Sequence, residues 1–461
     1  VIEKQSGTLT ADAYNIDAGM AFGSGLPDRS AVPYFPFRIR KEDDIWITED
    51  PLSSEIQELN EAAYWLLKMC DGYRTLDEIT AQLSTSFHSD RDTVMEKSKP
   101  VLDELTYRGL LWWRNERMNY WKVPAPAGVL WDLTSKCNLR CRHCVVSAGE
   151  ECSDELSFDD CCRLIDEFAD FEVGQLILSG GEPMIRKDFF DIAEYAASKN
   201  IMIQVATNGT LIDEDVAEKL ANIGARAQVS LDSSVPEIHD DFRQSSGSWE
   251  KTVKGIKLLV KAGVPVTLAA AVTTMNIDNI SDIYKLGKEL GVQTFRILPF
   301  VPSGRGTGAY DLEVKPARMR ELTEFLLSKR ESDGPEIAPM EFECTFRPIP
   351  EQEIETNTDT DIRIGCDGAI GYCTVTSKGD VLPCNYFEGA DVENVKDRSF
   401  RWIWDNSRFL NYFRSLKASD MKGECSRCQW LSVCRGSCIA ANFTRRDIFQ
   451  ANCHCWLVND K

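Results

Sequence analysis

No apolar run reaches the roughly 18 residues that a membrane-spanning helix requires, so no span is expected. The charged, apolar and small-residue succession of a secretory signal is also missing, which places the expected location in the cytoplasm. A basic surplus is lacking too. The 52 Lys and Arg stand against 73 Asp and Glu, and a net charge of −21 argues against a nucleic-acid partner held through its phosphates. Cysteine, by contrast, is plentiful at 17 residues. In a large chain without export such a content points to metal ligation or redox chemistry, and the odd number excludes complete disulfide pairing. An apolar content of 43% suffices for a sizeable core.

Periodicity divides the chain into four parts. Residues 1–36 are polar, rich in Gly, Ala and Ser, and predict a flexible tail. Residues 37–122 read as a small α+β unit. Phe37–Arg40 and Asp44–Thr48 predict a hairpin, and a helix follows from about Asn60 with Ala63, Leu66, Leu67 and Cys70 on one face. Thr75 with Glu78 forms a capping box for a second helix. A third stripe, Val101, Leu102 and Leu105, runs to Gly109, and Pro100 leaves its start open. Within residues 123–335, apolar runs at Val129–Leu133, Gln175–Leu178, Ile201–Ala206, Ala227–Leu231, Val266–Val272 and Thr294–Leu298 alternate with amphipathic helices. Six such units in order predict a parallel sheet with its ligands at the carboxyl ends of the strands. From 336 to 461 regular elements thin out around Pro348, Pro350 and an acidic loop, which predicts a cysteine-dense tail organised by metals.

Cys137, Cys141 and Cys144 lie in C-N-L-R-C-R-H-C directly after the first predicted strand. Three thiolates on one short loop can ligate three irons of a cubane and leave the fourth iron open. A zinc site would ordinarily take four protein ligands, and no paired Cys or His follows at finger spacing.

The motif and its setting resemble the radical S-adenosylmethionine (SAM) superfamily, whose partial (β/α)6 TIM barrel holds a 4Fe–4S cluster on this spacing. The resemblance extends to Gly180-Gly181-Glu182-Pro183 after the second strand, which it implies meets the amino group of the cofactor. Asn208 in T-N-G, and Ser230 and Asp232 in S-L-D, match cofactor-lining positions. Arg243, in H-D-D-F-R, matches the arginine that meets the cofactor carboxylate, and His143 stands where many members carry an adenine-contacting aromatic. The family's reaction is one-electron cleavage of SAM to a 5′-deoxyadenosyl radical that removes hydrogen from an unactivated carbon.

The cysteines of the tail run Cys366, Cys384, then Cys425-x2-Cys428-x5-Cys434-x3-Cys438, and finally Cys453 or Cys455. This order is similar to the SPASM extension and implies two auxiliary 4Fe–4S clusters, three in all. By that analogy Cys366, Cys384 and Cys438 hold the first, with Cys373 a possible fourth ligand. Cys425, Cys428, Cys434 and one of Cys453 or Cys455 hold the second; the bland alternative is a zinc ribbon. Cys70, Cys161 and Cys162 fall on predicted helices and read as core.

Residues 59–79, L-N-E-A-A-Y-W-L-L-K-M-C-D-G-Y-R-T-L-D-E-I, resemble the peptide-binding fold of the pyrroloquinoline quinone chaperone, a winged-helix-like α+β domain. That resemblance implies a precursor peptide held through its leader as an added strand. The combined order is similar to the sactipeptide maturases. It implies thioether formation in a ribosomal peptide, with a flavodoxin- or ferredoxin-type protein as reductant. Carbon–carbon bond formation or peptide decarboxylation, as in mycofactocin and pyrroloquinoline quinone relatives, is the alternative. A metal-scaffolded binding or electron-transfer protein, a DNA-binding winged helix and a porphyrin-modifying enzyme are the rivals from other classes.

Overall fold

The computed structural model describes residues 27–51, 53, 55–118, 122–333, 341–342, 360–444, 447–452 and 454–459. Cys344, Cys453, Pro348, Pro350 and most of the expected tail and acidic loop lie outside these residues.

The front unit begins earlier than its sequence suggests. β1 (Val32–Tyr34) pairs antiparallel with β5 (Trp112–Arg114), so the end of the expected tail is folded into the domain. Its Val-Pro-Tyr-Phe-Pro-Phe run is apolar, and Tyr34 and Phe37 are both only 2% exposed. β2 (Ile39–Glu42), β3 (Ile45–Glu49) and β4 (Ile56–Leu59) form an antiparallel meander in that order. Asp43 and Asp44 make the hairpin turn with φ of 44° and 70°, the positive angles that a two-residue type I′ turn demands.

Three helices pack on this meander. α1 (Glu61–Met69) starts on the Asn60 side chain, which accepts from the Ala63 amide. α2 (Leu76–Ser86) has the expected Thr75–Glu78 box. α3 (Arg91–Tyr107) is longer than the sequence indicates, because Pro100 sits inside the helix rather than at its start. An Asp90 cap and the buried face of Val94, Val101, Leu102 and Leu105 offset the one backbone bond that the proline removes.

The central unit places β6 (Gly128–Thr134), α4 (Phe158–Asp170), β7 (Gln175–Gly180), α5 (Phe189–Ser198), β8 (Met202–Thr207), α6 (Glu214–Asn222), β9 (Arg226–Ser230), α7 (Pro236–Arg243), α8 (Ser248–Lys261), β10 (Val266–Val272), α9 (Ile280–Leu290) and β11 (Thr294–Pro299) in succession. The six strands lie side by side in chain order and all in parallel, as the sequence predicts. α10 (Pro316–Asp333) follows, and β12 (Glu341–Phe342) continues the sheet beside β11. In β6, Trp131 meets Phe168 of α4 edge-on at 5.8 Å, so alternation turns Leu130 and Asp132 to the opposite, inner face.

Two features of the tail depart from expectation. β13 (Tyr372–Val375) and β14 (Val381–Leu382) extend the barrel sheet, with Cys373 opposite Val129 of β6. The tail also has an aromatic core, on α11 (Phe400–Asn406), α12 (Arg408–Ser415) and the short helix Ile439–Phe443: Trp404, Phe409, Tyr412, Phe413 and Phe443 are buried. That core is shared with the front unit. Tyr34 stacks on Tyr412 at 4.1 Å and Phe37 on Phe443 at 5.8 Å. Arg114 is buried and reaches Asp420 at 3.0 Å. Aromatic burial, each ring removing a large apolar area from water, thus organises the segment alongside whatever metals it holds.

Candidate functional site

A cavity of about 250 Å³ opens at the carboxyl ends of the barrel strands. Cys137, Cys141 and Cys144 line it from the loop after β6, and each sulfur has a donor aimed at it. The Leu139 amide points at Cys137 (3.4 Å), the Ala148 amide at Cys144 (3.3 Å) and Arg243 at Cys141 (3.7 Å). Burial pushes the Cys137 thiol up to about 11, so the thiolate form that binds metal needs such donors or the metal itself. Among the described residues no three His, Cys, Asp or Glu side chains converge as for a single metal ion.

The glycines after β7 have a steric role beside any contact with a ligand. A Cβ on Gly180 would strike the Thr134 backbone, and one on Gly181 the Lys136 carbonyl. Gly180 also has φ of 121°, a left-handed value that disfavours side chains. Both line the cavity, and so do Asn208, Ser230 and Arg243. Asn208 additionally donates to Asn138 within the cysteine loop (2.9 Å).

The remaining expected contacts lie behind this wall rather than in it. Glu182, fully buried, accepts from the Thr207 hydroxyl (2.9 Å) and the Asn208 amide (2.8 Å), tying the second strand's loop to the third's. Burial raises its carboxyl to about 7 against those donors. Pro183 opens a short 3-10 turn beside it. Asp232 meets Arg243 at 2.6 Å and accepts from the Ala271 amide at 2.9 Å. Burial alone would raise the Asp232 carboxyl, but Arg243 holds it below the usual carboxylate range.

His143 lies flat on Phe242, ring centroids 4.0 Å apart. Its Nδ1 is shielded from solvent and has no hydrogen-bond partner among the described residues. Burial, then Arg243, lowers this imidazole to about 3, which keeps the ring neutral. The thiol set, the glycine cradle and this unsatisfied nitrogen together fit an iron–sulfur cluster and a bound SAM.

Two wall residues escaped the sequence reading. Arg305 lines the cavity and donates to the Cys141 carbonyl (2.9 Å), while its own amide donates to the Cys144 carbonyl (2.9 Å). The only sequence signal was a short G-R-G segment beyond the sixth strand. Tyr386 enters the same wall from the tail, two residues after Cys384.

In the tail, the thiols of Cys425, Cys428, Cys434 and Cys455 lie within electrostatic reach of one another. Burial and these neighbours push Cys425 up to about 12 and Cys434 to about 11. Cys366 stands beside Gly368, where a Cβ would come within 3.4 Å of its sulfur and 3.0 Å of the Pro383 carbonyl, one residue before Cys384. Cys438 is buried at the start of a short helix. Cys373 is set apart on β13, fully buried, with Arg414 rather than another thiol as its electrostatic neighbour.

Residues 131–287 match the radical SAM superfamily, residues 366–429 an iron–sulfur cluster-binding domain, SPASM, and residues 46–111 coenzyme PQQ synthesis protein D. The chain is 34% identical over 342 residues to an AdoMet-dependent heme synthase of Methanosarcina barkeri, covering 72% of this chain and 96% of the relative. It is 30% identical over 329 residues to the mycofactocin maturase MftC of Mycobacterium tuberculosis, covering 70% and 80%. Among solved structures, SuiB of Streptococcus suis bound to S-adenosylmethionine superposes with a TM-score of 0.60 at 18% identity, over 90% of this chain and 97% of that one. SuiB has also been solved with a precursor peptide, SuiA, and that structure superposes with a TM-score of 0.59 at 17% identity, over 92% and 98%. At such identities the likeness concerns the fold.

Proposed function

The chain belongs to the radical SAM superfamily, and from that premise we propose that it oxidises a ribosomally made precursor peptide, joining a cysteine sulfur to a carbon as a thioether. One observation carries the peptide reading: the front unit is docked on the segment that walls the cavity. The Asp391 amide donates to the Pro36 carbonyl (2.6 Å), Phe37 bridges to Ala390, and Lys68 pairs with Asp391 at 3.4 Å. Tyr386, five residues earlier, lines the cavity itself. A peptide added to the edge of β2, which pairs only with β3 among the described residues, would therefore enter beside the reaction chamber.

The residues have separable tasks. Cys137, Cys141 and Cys144 would hold the SAM-binding cluster, with Gly180, Gly181, Asn208, Ser230, Arg243 and His143 around SAM. When bound, the reduced cluster and SAM supply a radical able to remove hydrogen from carbon. Glu182 and Asp232 position the wall rather than touch the cofactor. With SAM and peptide in place the cavity would shield the reacting centre from water. Cys425, Cys428, Cys434 and Cys455 would hold one auxiliary cluster; Cys366, Cys384 and Cys438 another. The separation of Cys373 supports a site with three protein thiolates, open to a peptide sulfur. A flavodoxin- or ferredoxin-type protein would deliver the electron.

The identity to MftC favours a second reading, a carbon–carbon bond or a decarboxylation. The identity to a heme synthase favours a porphyrin; the PqqD-like unit at residues 46–111 supports a peptide instead. Mass spectrometry of precursor incubated anaerobically with holoenzyme, reductant and SAM separates them. A loss of two hydrogens that disappears when precursor cysteines are replaced is the expected result. A loss that survives replacement selects the second reading, and turnover of porphyrin without peptide selects the third.

A further inference from the structure

Beside the main cavity lies a second, of about 30 Å³, lined by Asp132, Thr134, Thr376, Ser377 and Glu388, with Val146 and Gly180 forming walls common to both. A polar chamber of that size has room for about one or two waters. Asp132 is 7% exposed on the inner face of β6 and, in the β6–β7 ladder, lies directly opposite Ser179, whose own position is on the wall of the main cavity. Glu388 sits opposite, on the tail segment that carries Tyr386, and is exposed to solvent. The three groups thus form a line from the reaction chamber, through a buried carboxyl, to water.

We propose that Ser179, Asp132 and Glu388 form the proton exit of the main cavity. The proposal rests on the peptide oxidation above. Making a thioether breaks one C–H and one S–H bond and forms one C–S bond, which releases two protons and two electrons. One of each leaves together as the hydrogen atom taken by the deoxyadenosyl radical. The second electron reduces an oxidised iron–sulfur cluster, and the second proton passes to the Asp132 carboxylate and out through Glu388.

The electrostatics suit that task. Burial, then the Glu388 charge, raises Asp132 to about 7, so it can both take and lose a proton near neutrality. Lys378 and Asp380 are the charges nearest Glu388. Glu155, accepting from Ser135, and Arg186, donating to the Leu133 carbonyl, are charges on the adjoining elements.

The test uses holoenzyme with precursor, SAM and reductant. It measures modified peptide per 5′-deoxyadenosine across neutral pH, together with the infrared band of a protonated carboxyl. Asp132→Asn should keep deoxyadenosine formation, lower the ratio about 100-fold and abolish a band titrating near 7. Asp132→Glu should restore most of the ratio. Glu388→Gln, at an exposed position that does not threaten folding, should cost roughly tenfold and shift the pH profile. Wild-type ratios and profiles in both Asp132→Asn and Glu388→Gln overturn the proposal. If the wild type modifies no peptide, the peptide reading fails and the infrared titration decides the pair alone. A band unmoved by Glu388→Gln then overturns it.

Discussion

Asp232→Asn tests how the cavity's arginine is held. Arg243 donates to the Asp232 carboxylate at 2.6 Å through Nε and at 2.6 Å through Nη2, and the side chains are only 9% and 1% exposed. Asparagine has nearly the same shape, but with its oxygen kept on the Ala271 amide its NH2 faces the two Arg243 donors that Oδ2 receives, so the change removes the charge and both of those hydrogen bonds. A buried cation left without its anion costs about 3–5 kcal/mol. For a folding unit of this size that corresponds to a fall of roughly 6–20 °C in the melting midpoint.

The sign of the pH dependence follows from the depressed Asp232 carboxyl. Its stabilisation is fully present above the ordinary Asp range and is lost only in acid, so the penalty should be equal at neutral and mildly alkaline pH. Anaerobic calorimetry of SAM-free protein is the assay, because it leaves cofactor binding out of the comparison. Arg243→Gln should be costly for the mirror-image reason, and the double variant should cost less than the two single changes together. A midpoint for Asp232→Asn within about 2 °C of wild type would refute the reasoning.

Other consequences are equally open to measurement. Gly181→Ala should displace the cysteine loop, since its Cβ would meet the Lys136 carbonyl; iron content per chain should fall while the far-ultraviolet spectrum is kept. Cys455→Ala should lower iron and sulfide content, because this thiol lies with those of Cys425 and Cys434, whereas Cys373→Ala should leave both near wild type. Phe37→Ala removes a ring that is 2% exposed between the front unit and the tail, at a cost of about 3–5 kcal/mol. Limited proteolysis should then release the front unit. His239 is lowered to about 4 by burial, then by Arg243, with Asp232 and Asp240 opposing. Its share of stability is present above the ordinary histidine pKa and declines in acid, by about 2 kcal/mol at pH 5. Melting curves of His239→Gln should lack that decline.

The barrel was readable because its six strands are short apolar or alternating runs separated by amphipathic helices. The cysteine loop was readable because thiol spacing is local. β13 was not: it has four residues, and its partner β6 lies far back in the chain, so no periodicity announces the pairing. Pro100 misled because a proline stops a helix only when packing does not outweigh the lost bond. Glu182 and Asp232 stand next to cavity-lining residues in sequence, yet their side chains turn inward to fix Thr207, Asn208 and Arg243. Spacing along a loop identifies which residues gather at a strand's end, while the direction of each side chain is set by neighbours from other strands. Arg305 and Tyr386 were missed for the same reason.

Because β13 flanks β6, a fragment ending after the sixth strand would be more than a protein lacking its last cysteines. The strand that carries the cysteine loop would become a raw sheet border, with a row of amides and carbonyls inviting other chains to add to it. The carboxyl-terminal region is in this sense a stave of the barrel, and trimming it should yield aggregates before it yields a simpler enzyme.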